Sequence, residues 1–215
     1  MDLPPLSLDQ LSAVVAAAPT PADLYTSLSD YEEQACFLSS TTPPEAEVLV
    51  YFYTAFFFSH LLTDQIYEAR ALTRRIPQSL LNADYLQNCI LLLRASWQRK
   101  HAEIYKILRE LPWPERLQPL VESYESYFVD KTLKEVSNSY EAIRPAAAAS
   151  YLGLDPNLAE QGDSEIIQKF TAYGWKLDEK TRLLHPKAII TAPPKGDSVQ
   201  NELSKVMALI SNHGR

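Results

Sequence analysis

The stretch Ser164-Glu-Ile-Ile-Gln-Lys-Phe-Thr-Ala-Tyr-Gly-Trp-Lys-Leu-Asp-Glu-Lys-Thr-Arg-Leu-Leu-His-Pro186 changes period half-way along. Up to Tyr173, the residues Ile166, Ile167, Phe170 and Tyr173 fall on one side of a helix, and Gly174 stops it. Then Trp175-Lys176-Leu177 alternates, Asp178-Glu179-Lys180 turns, and Thr181-Arg182-Leu183-Leu184 alternates loosely before Pro186 closes the pattern. This predicts a helix over 164–173 followed by a β-hairpin. Just upstream, Pro145-Ala-Ala-Ala-Ala-Ser-Tyr151-Leu152-Gly153 reads as a short helix with Pro in its first turn and Gly as its stop. Leu154 to Gly162 reads as a loop. Helix, turn, helix, hairpin is the order of a winged helix. Because a two-stranded hairpin is marginal alone, it must lean on those helices.

Further upstream the chain is helical throughout. Leu and Ala number 53 against 20 for Val and Ile, and straight-chain residues and Ala lose the least freedom in a helix. Helix starts are marked by Ser7-Leu8-Asp9-Gln10, a capping box, and by Thr20-Pro21-Ala22-Asp23 and Thr42-Pro43-Pro44-Glu45, a cap followed by Pro. Helices are predicted near 7–18, 21–39, 43–62, 64–75, 84–98 and 101–111. A longer one follows Trp113-Pro114, with a bend expected at Pro119, and runs to about Asn138. Ala71-Leu-Thr-Arg-Arg-Ile-Pro77 lines up with Lys106-Ile-Leu-Arg-Glu-Leu-Pro112 at an offset of 112 − 77 = 35 residues, close to the period of tetratricopeptide-type helix pairs. The aromatic run Tyr51 to Phe58 covers every angle of its helix, which is how a helix buried on most sides reads. The fold class is therefore mainly α. A tetratricopeptide-like repeat stack spans 1–138, a winged helix 139–190, and a linker with a C-terminal amphipathic helix 191–215. In that last helix Val199, Leu203, Val206, Met207 and Ile210 form one stripe.

Composition excludes several functions. With 5 Gly against 15 Pro, a Gly-rich phosphate loop is not expected, and no nucleophile elbow or dinucleotide fingerprint occurs. His60, His101, His185 and His213 are scattered without metal-ligand spacing, so no metal, cofactor or small-molecule substrate is expected. His60 reads as a core residue. The net charge of −7 opposes grip on phosphate backbones. Residues 139–187 hold six Lys or Arg against seven Asp or Glu, which favours a protein-docking winged helix over a nucleic-acid-binding one. Cys36 and Cys89 lie in apolar stretches and read as buried free thiols of a reducing compartment. The apolar run Val48 to Leu62 is too short to read as membrane-spanning, and no basic leader opens the chain. The sequence reads as intracellular, with no nucleic-acid or membrane partner and no enzymatic role.

A helical repeat running into a winged helix and a terminal helix resembles the PCI family, named for the proteasome lid, the COP-nine signalosome and an initiation factor. Glu68-Ala69-Arg70, Arg75-Ile76-Pro77, Trp97-Gln98-Arg99, Ile104-Tyr105, Trp113, Gln118-Pro119, Gly174-Trp175 and Thr181-Arg182, in this order, carry the resemblance over about 60–190. They point to the small-subunit branch of the signalosome. The smallest lid PCI subunit of the proteasome and subunit k of translation initiation factor three are the alternatives. The resemblance implies a non-catalytic scaffold in the cytoplasm and nucleus. Its complex removes Nedd8 from cullins, and so regulates cullin-RING ubiquitin ligases, through a metalloprotease on another chain. It also implies that neighbouring subunits meet the winged-helix edge, here Trp175, Lys176, Leu177, Arg182, Leu183 and Leu184. Several subunits would meet the terminal helix, here Val199, Leu203, Val206, Met207 and Ile210. The alternation turns Trp175, Leu177 and Leu183 inward and leaves Leu184 as exposed interface surface.

Overall fold

Helix α4 (Pro43–Leu62) is the axle of the structure, a computed structural model that describes residues 3–189. Every residue from Phe52 to Leu62 on α4 is buried. Its buried hydroxyls close on their own helix, Thr54 Oγ1 donating to the Val50 carbonyl at 2.7 Å and Ser59 Oγ to that of Phe56 at 2.8 Å. Helices α1 (Leu8–Ala17), α2 (Pro21–Asp30), α5 (Ile66–Arg75), α6 (Asp84–Trp97) and α8 (Gln118–Ser139) all pack against it. Burying Phe52, Phe56, Phe57 and Phe58 contributes about 1.5–3 kcal/mol each. This is why a helix with no polar face is stable here.

The 35-residue offset is visible in the backbone. The turn after α4 has Asp64 at φ 62°, with Gln65 N–H donating to His60 O at 2.8 Å. The turn between α6 and α7 (His101–Glu110) has Arg99 at φ 54°, with Lys100 N–H donating to Ala95 O at 3.0 Å. Both are six-to-one helix stops built on a left-handed residue, and 99 − 64 = 35. Each hairpin then ends at its Pro, and a short 3-10 turn comes next, Gln78–Leu80 in one case and Glu115–Leu117 in the other. The predicted bend at Pro119 is not seen. It lies in the first turn of α8, where no intrahelical donor is lost.

The predicted helix over 21–39 divides at Tyr31, which anchors the break. Its ring is 2 % exposed, and its hydroxyl accepts from Gln10 Nε2 at 2.9 Å. Tertiary burial of one tyrosine overrides the continuous period, and α3 (Glu32–Phe37) starts afresh. Ser7 and Thr20 cap their helices as predicted, accepting from the Gln10 and Asp23 amides. Thr42 does not cap α4. Instead Glu45 reaches back, and its carboxylate accepts from the Ser39 amide at 2.5 Å. Cys36, expected to be buried, is exposed, whereas Cys89 is buried.

A second core gathers the end of α8 and the elements C-terminal to it. Leu133 and Val136 join Ile143, Ala148 and Ala149 of α9 (Pro145–Tyr151), Leu152, Ala159 of α10 (Pro156–Gln161), Ile166 and Phe170 of α11 (Ser164–Ala172), Trp175 and Leu184. Helix α10 replaces the predicted loop over 154–162. Asp155 caps it through the Asn157 and Leu158 amides, Pro156 opens it, and Gly162 at φ 81° ends it. Tyr105 sits at the seam between the two cores. Its hydroxyl donates to Tyr151 O at 3.2 Å, and its ring lies against Gly153. Among the described residues, no helix is long and apolar enough to cross a membrane.

Candidate functional site

The hairpin consists of β1 (Lys176–Asp178) and β2 (Leu183–His185), antiparallel, with Lys176 opposite His185, Leu177 opposite Leu184 and Asp178 opposite Leu183. Its turn is held by one carboxylate. Asp178 accepts from the Lys180 amide at 2.9 Å and from Thr181 Oγ1 at 2.8 Å, while its carbonyl accepts from the Arg182 amide. The Thr181 hydroxyl, followed by the backbone amides, holds the Asp178 carboxyl below the usual carboxylate range. Arg182 adopts φ 53° to complete the turn.

One edge of the hairpin is occupied by its own chain. Ile143 N–H donates to Leu184 O, and Leu184 N–H donates to Ile143 O, both at 2.9 Å. Leu184 thus spends its polar groups on Ile143, so the Leu177–Leu184 pair is a non-hydrogen-bonded one. The N–H and C=O of Leu177 therefore point outward from β1. Among the described residues nothing pairs with that edge, and an open edge is a template for an added strand.

The side chains of the predicted edge residues divide into three groups. Lys176 and Arg182 are exposed, and Leu177 and Leu183 are half-buried. Trp175 is 1 % exposed, stacked on Phe170 at 5.6 Å, and its indole Nε1 donates to Ser137 Oγ at 3.0 Å. Leu184, expected on the surface, is completely buried. The reason is the Ile143 bridge, which sets β2 across the second core and turns Leu184 into it. Val199, Leu203, Val206, Met207 and Ile210, with the linker before them, lie outside the described residues. Sequence reasoning missed Ser137 and Ile143. Ile143 stands in Glu141-Ala142-Ile143-Arg144, too short a segment for alternation to register.

The other candidate chemistry is structural where it is described. His60 is buried, stacked on Phe56 at 4.6 Å and hydrogen-bonded through Nδ1 to Gln65 Oε1 at 3.3 Å; burial pushes its pKa down. His101 packs between Phe128 and Tyr151, and burial lowers its pKa as well. His185 Nδ1 lies 3.0 Å from Glu141 O. No group of three or more His, Cys, Asp or Glu among the described residues could hold a metal ion. Helix α11 offers a poor phosphate site. Its N-terminal amides of Glu165 and Ile166 are already taken by the Asp163 carboxylate, and Lys169 is its single cation.

Residues 47–195 match the model of the CSN8/PSMD8/EIF3K family. A protein of Emericella nidulans named COP9 signalosome complex subunit 8 is 72 % identical, with 100 % of each chain covered. Proteins of the same name from Danio rerio and Xenopus tropicalis are 26 % and 29 % identical. These alignments cover 70 % and 62 % of this chain, and 74 % and 66 % of theirs.

Proposed function

Since the chain belongs to the CSN8/PSMD8/EIF3K family, we propose that it is a scaffold subunit of the COP9 signalosome, with no catalytic role of its own. The full-length identity of 72 % to a signalosome subunit carries the assignment over the proteasome-lid and initiation-factor branches. On this reading residues 1–138 form the repeat stack, 139–190 the winged-helix docking part, and 191–215 the linker and bundle helix. The open Leu177 edge, with Lys176 beside it on β1 and Arg182 in the turn, receives one neighbouring subunit by strand addition. The apolar stripe from Val199 to Ile210 joins several others. The complex is soluble, works in cytoplasm and nucleus, and removes Nedd8 from cullins through a metalloprotease on a different chain.

The experiment is affinity purification of the tagged chain from its own cells, with mass spectrometry of its partners. Signalosome subunits are expected. Lid or ribosome-associated partners would select another branch, and a chain recovered alone would refute assembly. Two variants separate the surfaces. Leu177→Pro removes an N–H without a partner among the described residues, at about 1 kcal/mol of lost apolar burial, and should lose the edge neighbour. Leu203→Asp with Ile210→Asp should keep the melting temperature of the lone chain while losing the bundle partners.

A further inference from the structure

Among the described residues five cations are paired with carboxylates: Arg75 with Glu32, Lys100 with Glu103, Arg109 with Glu125, Arg116 with Asp9 and Lys131 with Asp64. Arg70, Arg74 and Arg94 have no such partner there, although the chain carries seven more acidic than basic residues (27 − 20). All three are exposed and line one groove of about 340 Å³ between α5 and α6. Arg70 and Arg74 stand one turn apart on α5, an arrangement that weakens a helix by repulsion. Opposite them Ile90, Arg94 and Trp97 recur at helical spacing on α6. Among the described residues no acidic one lines the groove.

The groove also has an aromatic rim. Trp97 is 44 % exposed, with the Arg70 guanidinium 5.1 Å above its ring and Tyr67, itself 72 % exposed, edge-on at 5.2 Å. Large exposed aromatics beside unneutralised arginines are what protein recognition surfaces are enriched in. We propose that this groove binds an acidic peptide segment of a partner protein. Its carboxylates would pair with Arg70, Arg74 and Arg94, and one apolar side chain would lodge on Ile90 and Trp97. Planar guanidinium forks suit carboxylates two bonds at a time. The charge of residues 190–215 does not complement the groove, since Lys195, Lys205 and Arg215 outnumber Asp197 and Glu202. A nucleic acid fits less well. The cationic stripe is only about one helical turn long, Glu68 stands exposed near it, and the protein as a whole repels phosphate. This surface is separate from the hairpin edge, and its test uses the full chain alone, so it stands or falls independently of the assembly above.

The test selects 12-residue peptides from a random display library on the immobilised chain, with depletion on Arg70→Gln/Arg74→Gln/Arg94→Gln. The selected peptides are then titrated by fluorescence anisotropy, with a 12-mer oligothymidylate in parallel. We expect enriched peptides rich in Asp and Glu around an apolar residue. They should bind at least tenfold more weakly to the triple variant and to Trp97→Ala, and more weakly as salt rises. The triple variant, altered only at exposed positions, should melt as the natural chain does. Selected peptides without acidic enrichment, or bound equally by a folded triple variant, would overturn the proposal. Oligothymidylate binding more tightly than the peptides through the same arginines would replace it with a nucleic-acid site.

Discussion

Replacing Gly153 with Ala should destabilise the chain by more than the backbone alone accounts for. Gly153 sits at φ 66°, and a Cβ there would lie 2.6 Å from Cγ of the Tyr105 ring. That ring cannot step aside. Tyr105 is 3 % exposed, its hydroxyl is bonded to Tyr151 O, and the Arg109 guanidinium lies over its face at 4.9 Å while donating to Gly153 O at 2.7 Å. A left-handed backbone costs a non-glycine residue roughly 1–2 kcal/mol, and the stiffer unfolded chain returns about 0.4–1 kcal/mol. Overpacking adds about 1–3 kcal/mol. The sum for Gly153→Ala is about 1–4.5 kcal/mol, or a fall of about 2–18 °C in melting temperature for a chain of this size. Gly162→Ala is the control. Its φ is 81° but nothing lies within 4 Å of the added Cβ, so about 0.5–1 kcal/mol is expected. Urea denaturation of both variants measures the difference. Equal losses would refute the clash, and with it the claim that Tyr105 rigidly fixes the seam between the two cores.

Ser137→Ala leaves the buried Trp175 indole N–H without its acceptor and should cost about 1–3 kcal/mol in the same assay, the Phe170 stack being kept. Burial lowers the pKa of His60 in the fold, so the unfolded chain binds more protons. That part of the stability is complete above about pH 6.5 and declines below it, by up to about 1.4 kcal/mol per pH unit. His60→Leu should flatten the slope between pH 7.5 and 5.5, leaving the His101 contribution, and unchanged slopes would contradict the assignment. Cys89 is buried and its thiol is pushed far up by burial, while Cys36 is exposed. A thiol reagent should titrate one cysteine in the native chain and both in denaturant.

The repeat region was legible because its signals are local and redundant. Prolines at 77 and 112 stop equivalent helices, and caps at Ser7 and Thr20 start others. The division at Tyr31 was not legible, since it depends on Gln10 across the stack. Helix α10 has its start at Asp155-Pro156 and its stop at Gly162, but its six residues are too few for an apolar period to register. At the hairpin the alternation located both strands but misassigned Leu184. Which face of a two-stranded ribbon is inward depends on a third strand, and that strand is the single residue Ile143. Of the groove arginines only Arg70 stands in the family-like motifs, as Trp97 does, and only the packing of α5 on α6 brings these two together with Arg74 and Arg94.

The Ile143 bridge also sets a valency. A ribbon with two open edges can be extended on both sides and so can act as a link in a row. Among the described residues this ribbon has spent one edge on its own backbone and keeps the Leu177 side. In the vocabulary of polymer chemistry it is a monofunctional end group. If subunits join by the proposed strand addition, it would terminate a series of edge-joined subunits rather than continue one, and two copies joined edge to edge would leave no strand position for anything else.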